Sequence, residues 1–404
     1  MNNTVINRVC LACGSNKISL AFDLGQQPLA NSYLANKDSI EVTYPLGVSL
    51  CSYCYHLQLL VTVDPKLIYQ NYLYVSGTSK TLKDYSDWFA GYVQESTTKL
   101  TNCVLDIGCN DGTQLDSFKA LGYHTYGVDP AENIYPTSSA NHNVLCDFFG
   151  SNSVASLMST SYDAITAQNV MAHNPDPYAF LKTCRQLMCD HTVLFIQTSQ
   201  ADMVLNNEFD TIYHEHVNFF NINSMKRLAE RTGLNLIDAI KTPIHGNSYV
   251  FVLSKTIESP FNIQNKIKME QLLYNANTYT QWKNNIKSNM TELKHTILKY
   301  QQQGYKIVGY GAAAKGNTLL NFIDVKLDLI IDDNSLKQNL FTPGTRVLIT
   351  GPHEILKFST DDKIVFMPLA WNFFSEISTR IKSIRDMKQD VFLKYFPKVE
   401  IINV

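Results

Sequence analysis

Long apolar runs are missing from this chain. No stretch approaches the roughly 18 consecutive apolar residues of a membrane-spanning helix, and the N-terminal MNNTVINRVCLACG carries no apolar segment of the signal-peptide kind. The expectation is a cytoplasmic protein with no membrane as partner. An excess of one charge is missing too: Lys+Arg number 34 against Asp+Glu 36, for a net charge of −2, so the balance gives no argument for nucleic acid as a partner. Low-complexity segments are also absent, which removes disordered architectures from consideration. What remains over 404 residues, 45% of them hydrophobic and 17% charged, is a globular chain with material for two or three domains. It is expected to act as a monomer or a weak homo-oligomer.

Cysteine is used in two ways. Of the nine, Cys103, Cys109, Cys146, Cys184 and Cys189 sit among strand-like or helix-like residues as small apolar side chains would, which suits a reducing compartment. The other four form two CxxC knuckles, Cys10 with Cys13 and Cys51 with Cys54, separated by 37 residues. Four thiolates close a tetrahedral shell around zinc, and a closed shell with no open position is of the structural kind. His56 is a competing ligand. Such a metal would fold an N-terminal module that has little core of its own.

From Leu100 onward short β-rich runs alternate with helical segments: CVLDI, a helix through Leu121, TYGVD, DAITA, a helix through Met188 and TVLFIQ. This is the pattern of a parallel, doubly wound sheet. The runs LNLIDAI and Tyr249 to Leu253 supply its late strands. Residues 261–303 read as one or two long connecting helices. A second alternation starts at Lys306, with IVGYG, a helix from Asn317, LDLIID, RVLI, KIVFM and a helix after Trp371. The organisation read here is a zinc-binding module over residues 1–75, a first α/β domain over 76–258, and a helical linker with a Rossmann-like domain over 259–404.

The loop DIGCNDG, Asp106 to Gly112, lies directly after a strand and before a helix. Gly108 and Gly112 let the backbone turn and approach a ligand, with Asn110 between them. Asp129 ends the next strand about 20 residues on, where a carboxylate accepts from ribose hydroxyls. Three details favour S-adenosylmethionine over NAD. The spacing is not GxGxxG, the acid Asp106 opens the loop without penalty beside a sulfonium, and the late strands resemble the antiparallel hairpin of class I methyltransferases. Asp147, Phe148 and Phe149 follow the next strand, where adenine would lie. Gln168 and Asn169 end the fourth strand and face the same crevice.

After the fifth strand comes Tyr213-His214-Glu215-His216, four proton-handling side chains in a row. Placed where an open α/β sheet holds its ligands, they point to acid/base work beside a bound cofactor. A metal held by His214, Glu215 and His216 is the weaker alternative, because the HExxH spacing is absent. In the C-terminal domain, GYGAAAKGN opens a helix after a strand. Gly309, Gly311 and Gly316 can turn backbone amides to a pyrophosphate, with Lys315 adding charge and Asn317 following in the helix. Asp332 and Asp333 end the next strand, and Lys337 follows.

Several strings taken together carry a resemblance: SGTSKTL (76–82), DIGCNDG, NVMAHNPDP (169–177), YHEHVNFF, HGNS (245–248), GYGAAAKGNTLLNF (309–322), IDDNSLKQNLFTPGT (331–345) and PLAWNFFSEI (368–377). The chain resembles, essentially end to end, the sugar nucleotide C-methyltransferases of deoxysugar pathways. The resemblance implies a class I methyltransferase sheet with an N-terminal four-cysteine zinc module and a second, Rossmann-like α/β domain. It also implies methyl transfer from S-adenosylmethionine to a ring carbon, usually C3, of a nucleoside-diphosphate 4-keto-6-deoxysugar. His216 is then the candidate base because imidazole is largely unprotonated at neutral pH. Tyr213 and Glu215 are the alternative bases: Glu215 can tune an imidazole or, with its pKa raised by burial, take the proton itself, and Tyr213 can hydrogen-bond the developing enolate. His214 is placed with the substrate-facing groups, though strand alternation turns it away from its neighbours.

The family's active-site tyrosine maps to Tyr74. His245 and Asn247 lie near the pocket, Asn247 standing where the family tends to have a second glycine. The resemblance assigns the C-terminal glycine loop, with Asp333 and Lys337, to a nucleotide-sugar diphosphate. Two rival functions remain. An NAD-dependent oxidoreductase or epimerase would use that C-terminal loop but leave DIGCNDG unexplained, and a non-catalytic S-adenosylmethionine-binding scaffold would leave YHEH unexplained.

Overall fold

The computed structural model describes residues 3–69, 80–150, 154–199, 201–244, 247–257 and 261–403. Tyr74, His245 and the start of SGTSKTL lie outside the described residues. The first α/β unit is a seven-stranded sheet in the spatial order Asn235–Thr242, Ser248–Ser254, Val193–Thr198, Ala164–Gln168, Cys103–Ile107, His124–Val128, Asn143–Leu145. Only Ser248–Ser254 runs antiparallel to its neighbours. Helices cover both faces, so the inner strands read as near-continuous apolar runs, with Leu105, Ile165 and Leu194 fully buried. Cys103–Ile107 pairs with His124–Val128 on one side and Ala164–Gln168 on the other. Chain order reverses between those two neighbours, which places the ligand crevice at the carboxyl end of Cys103–Ile107.

Local signals set the flanking helices. Asp176 accepts from the Ala179 amide at 2.9 Å and Pro177 opens the helix Pro177–Leu187. An Asn221–Ser224 capping box starts Ile222–Thr232, and Gly233 ends it at φ 72°. The expected connecting helices are Phe261–Met269 and the 27-residue Ala276–Gln302. Among the described residues no helix is long and apolar enough to cross a membrane.

The N-terminal module is a four-stranded antiparallel sheet in the order Ile18–Pro28, Thr43–Cys51, Leu57–Leu59, Asn218–Phe219. Its last strand comes from the end of YHEHVNFF, with Asn218 opposite Gln58. The chain thus returns from the first α/β unit to complete the module. The C-terminal sheet runs Ile349–Thr350, Leu329–Ile331, Lys306–Tyr310, Ile364–Pro368, Val391–Lys394, Glu400–Asn403, parallel except for the last strand. The final two strands have only four residues each, too short for a period-2 pattern to announce them.

One core joins the module, the long helix and the C-terminal domain. The Phe22 ring of the module lies 5.9 Å from Phe209, 5.4 Å from Trp282 and 5.5 Å from Phe322, each on a different segment. The segment 209–217, which carries the four proton-handling residues, is therefore packed between the module and the C-terminal domain. Of the other cysteines, Cys109 and Cys184 are buried as expected of core residues, whereas Cys146 is exposed.

Candidate active site

The four cysteines of the two knuckles converge. Their sulfurs all lie within 4.8 Å of one another, with Cys10 to Cys54 and Cys13 to Cys51 each at 3.6 Å. A tetrahedral zinc with bonds of about 2.3 Å needs sulfur–sulfur edges of about 3.8 Å, so the cage fits the metal. His56 is not a ligand: its Nε2 lies 3.1 Å from Asn218 Oδ1, and its ring stacks on Phe220. The knuckles dock on the helix Ile222–Thr232, where Arg231 reaches the Ala12 carbonyl at 2.5 Å and Asn223 the Cys54 carbonyl at 3.2 Å.

At the crevice, Gly108 has φ 73°, and a Cβ there would stand 2.4 Å from Val170 Cγ2. Only glycine fits that turn. The Asn110 amide, at φ 49°, donates to Asp129 Oδ2 and the Ala131 amide to Asp129 Oδ1, both at 2.9 Å. A carboxylate accepts about four hydrogen bonds, so Asp129 both shapes the loop and retains acceptor capacity for hydroxyls. Gly112, at φ 89°, leads into the helix Thr113–Ala120. Asp106 is only 3% exposed and its Oδ1 accepts from Thr166 at 2.6 Å. Burial pushes it up to about 7, partly opposed by Thr166.

The fourth strand ends in Gln168, whose amide donates to Gln114 Oε1 at 2.9 Å, and Asn169 at φ 56°. Asp147 accepts from the Phe148 amide at 2.7 Å; Phe148 is 44% exposed, whereas Phe149 packs against Phe180.

The segment after the fifth strand splits by direction. The Tyr213 hydroxyl lies 3.0 Å from His216 Nε2, with ring centroids 4.1 Å apart. His216 Nδ1 lies 2.8 Å from the Thr211 carbonyl and 3.1 Å from its hydroxyl. A carbonyl can only accept, so Nδ1 carries a proton; in the neutral ring Nε2 then holds the lone pair, to which Tyr213 donates. The two form a dyad whose basic atom is His216 Nε2.

Glu215 is 7% exposed and accepts from Asn31 Nδ2 at 2.6 Å. Burial pushes it up to about 7, with Asn31 opposing. His214 turns the other way: at 1% exposure its ring lies edge-on to Tyr44 of the module, and burial lowers it to about 4. It belongs to the interface between segments rather than to a substrate surface. The metal alternative also fails on geometry. Among the described residues the four cysteines are the one group of three or more such side chains close enough to share an ion.

The C-terminal glycine loop differs most from its reading. A Cβ on Gly309 would meet Leu327, Leu369 and Ile330 within 3.0 Å, and one on Gly316 would stand 2.7 Å from Leu369 Cβ. Both are packing glycines of the sheet and its helix. Gly311, at φ 90°, makes the turn. The next amide, on Ala312, donates to Asp332 Oδ2 at 2.6 Å, and its carbonyl accepts from Tyr33 at 2.6 Å and Lys337 at 2.8 Å. A carboxylate thus engages one amide of this loop, as Asp129 engages the Asn110 amide in the first domain.

Asn317 donates to the Ala30 carbonyl at 2.8 Å and so holds the module loop to this domain, while Lys337 lies 5.3 Å over the Tyr33 ring of that loop. Lys315 lies 5.3 Å over the Trp371 ring. Asp333 pairs with Arg380 at 3.0 Å and accepts from Tyr310 at 2.9 Å. Asn247 is exposed at φ 78°, a backbone state that asparagine tolerates and glycine prefers.

Residues 10–69 match a family model described as "Putative zinc binding domain", 80–239 one described as "Methyltransferase domain", and 243–397 one described as "C-methyltransferase C-terminal domain". "C-methyltransferase NovU" of Streptomyces niveus is 24% identical over 385 residues, spanning 91% of this chain and 90% of that protein. Between them the three models make this chain an S-adenosylmethionine-dependent methyltransferase with a zinc-binding module and a C-methyltransferase C-terminal domain. A "Ubiquinone biosynthesis O-methyltransferase" of Neisseria meningitidis serogroup A is 25% identical over 196 residues, 44% of this chain and 82% of that one. Among solved structures, an S-adenosylmethionine-dependent methyltransferase from Clostridium acetobutylicum is 11% identical, covers 45% of this chain and 94% of its own, and superposes with a TM-score of 0.36.

In this C-methyltransferase S-adenosylmethionine is the cofactor and zinc the structural metal. Several site residues escaped the sequence reading. His173 stands 5.0 Å from the His216 ring and donates from Nδ1 to the Glu215 carbonyl at 2.8 Å; burial lowers it to about 4, which keeps it neutral. It lies inside the string NVMAHNPDP, but nothing in that string aims it at residue 215. Asp210 accepts from the Trp371 indole at 2.7 Å and so ties the segment 209–217 to the C-terminal domain. Asn31, Tyr33 and Thr211 carry no motif at all. For the cofactor, Asp129→Ala is expected to weaken S-adenosylhomocysteine roughly 10- to 100-fold, the loss of one or two hydrogen bonds to a charged group. Calorimetry measures it, and unchanged affinity would remove Asp129 from the site.

Proposed function

We propose that this C-methyltransferase acts on C3 of a nucleoside-diphosphate 4-keto-6-deoxysugar through an enolate. The observation that carries the reading is the Tyr213–His216 hydrogen bond, with its direction set by Thr211. A carbon beside a ketone becomes a nucleophile only once its proton leaves. Neutral His216 offers Nε2 as the acceptor, with the Tyr213 hydroxyl in its path. As the Tyr213 oxygen takes the ring proton, its own proton passes to Nε2, leaving an enolate and an imidazolium. The Thr211 carbonyl and hydroxyl then stabilise that cation.

S-adenosylmethionine, when bound, supplies a methyl group on a sulfonium. Buried Glu215 belongs to the same segment, and His173 donates to its backbone carbonyl.

A mass-spectrometric screen of 4-keto sugar nucleotides in deuterium oxide tests the reading. One of them is expected to exchange its C3 proton without S-adenosylmethionine and to gain one methyl group with it. Methylation confined to sugars that lack a ketone would overturn the enolate.

A further inference from the structure

The loop between the strands Ile18–Pro28 and Thr43–Cys51 belongs to the zinc module, yet it reaches the catalytic segment. We propose that Asn31, on this loop, is a positioning residue of the active site whose side-chain amide orients the Glu215 carboxyl and favours its ionised form. The proposal rests on the reading of Glu215 as an active-site group.

The loop is held on both sides of Asn31. Before it, the Ala30 carbonyl accepts from Asn317 at 2.8 Å; after it, Tyr33 donates to the Ala312 carbonyl at 2.6 Å. Leu34 then exchanges two backbone hydrogen bonds with Phe341, at 2.9 and 2.8 Å. Asn31 itself is exposed, whereas Ala30 is buried. An exposed side chain spanning 184 positions of sequence to a buried carboxylate, at 2.6 Å, is not there for packing.

Its chemistry suits the place. A neutral N–H donor favours the ionised carboxylate without adding a charge that would compete for the proton. Among the described residues, several titratable groups stand out around Glu215. Tyr33 lies on the same loop with Asp332 and Lys337 behind it, His173 meets the Glu215 backbone, and His216 is its neighbour. Removing the Asn31 donor leaves burial less opposed, so Glu215 should hold its proton to higher pH.

The test follows the carbon-13 signal of the Glu215 carboxyl, assigned by its loss in Glu215→Gln. The wild-type midpoint is expected near the value that burial sets, about 7. In Asn31→Ala it should rise by about half a unit to one unit, the equivalent of one modest hydrogen bond. Asn31→Asp keeps the shape, removes the donor and should raise it at least as far. Both variants should melt as wild type does, and kcat should fall about 2- to 5-fold at pH 7 with KM unchanged, as the ionised fraction drops from about half.

A midpoint that stays put in both variants overturns the proposal, even if kcat falls. Wild-type turnover in Glu215→Gln would instead overturn the active-site reading of Glu215 on which it rests.

Discussion

His216→Asn is expected to lower turnover by roughly 10³-fold, within the range that a positioned general base contributes, while S-adenosylhomocysteine affinity stays within about twofold of wild type. Asparagine is close in size to the imidazole and can still donate toward Thr211, but it offers no basic nitrogen to the Tyr213 hydroxyl. The fold should survive, because His216 is half-buried and its backbone is held independently by the strand Asn218–Phe219. Single-turnover kinetics and exchange of the substrate's ring proton with deuterium oxide separate the chemical step from binding. Exchange at the wild-type rate in His216→Asn would move the base elsewhere. Tyr213→Phe should be nearly as severe if the proton passes through the hydroxyl, and mild if His216 reaches the carbon directly.

Loss of the metal is expected to have the largest effect on stability. One zinc per chain should be found by native mass spectrometry, and Cys51→Ser should abolish cooperative folding. Structural zinc contributes an apparent 10–16 kcal/mol or so in small modules, comparable with or larger than the roughly 5–15 kcal/mol that keeps a whole domain folded. Here the damage should not stop at the module. Its sheet is completed by Asn218–Phe219, and its Phe22 packs on the catalytic segment, the long helix and the C-terminal domain. Near-ultraviolet circular dichroism of all three regions should therefore be lost together on chelation. Metal-free protein with a normal melting transition would refute the structural role.

The parts of the site legible in the sequence are those whose geometry is local. Two CxxC knuckles each place two sulfurs within one turn, so the pairs needed only to meet. A glycine loop between a strand and a helix, with an acid ending the next strand, is set by the βα unit itself; Asp129 accepts from the Asn110 amide as that layout requires. The reading failed where a local pattern was overridden by docking. GYGAAAKGN has the form of a phosphate loop, but Gly309 and Gly316 serve close packing, and the Ala312 amide donates to Asp332. His214 and His216 are two residues apart in a row of four, and only their neighbours decide which faces a cleft and which faces Tyr44.

The sequence by itself determined the chemistry available to this protein: four thiolates for a metal, a glycine loop with its acid for a sulfonium cofactor, and Tyr213 to His216 for moving protons. Tertiary structure decided how those groups are placed. It chose the His216 tautomer through the Thr211 carbonyl, brought Asn31 to Glu215, and turned the second glycine loop into a clamp for Tyr33 and Lys337. The physical reason is range. Propensity, turns and strand–loop–helix geometry act over a few residues, whereas the direction and charge of a buried side chain depend on donors and acceptors delivered by segments up to hundreds of positions away.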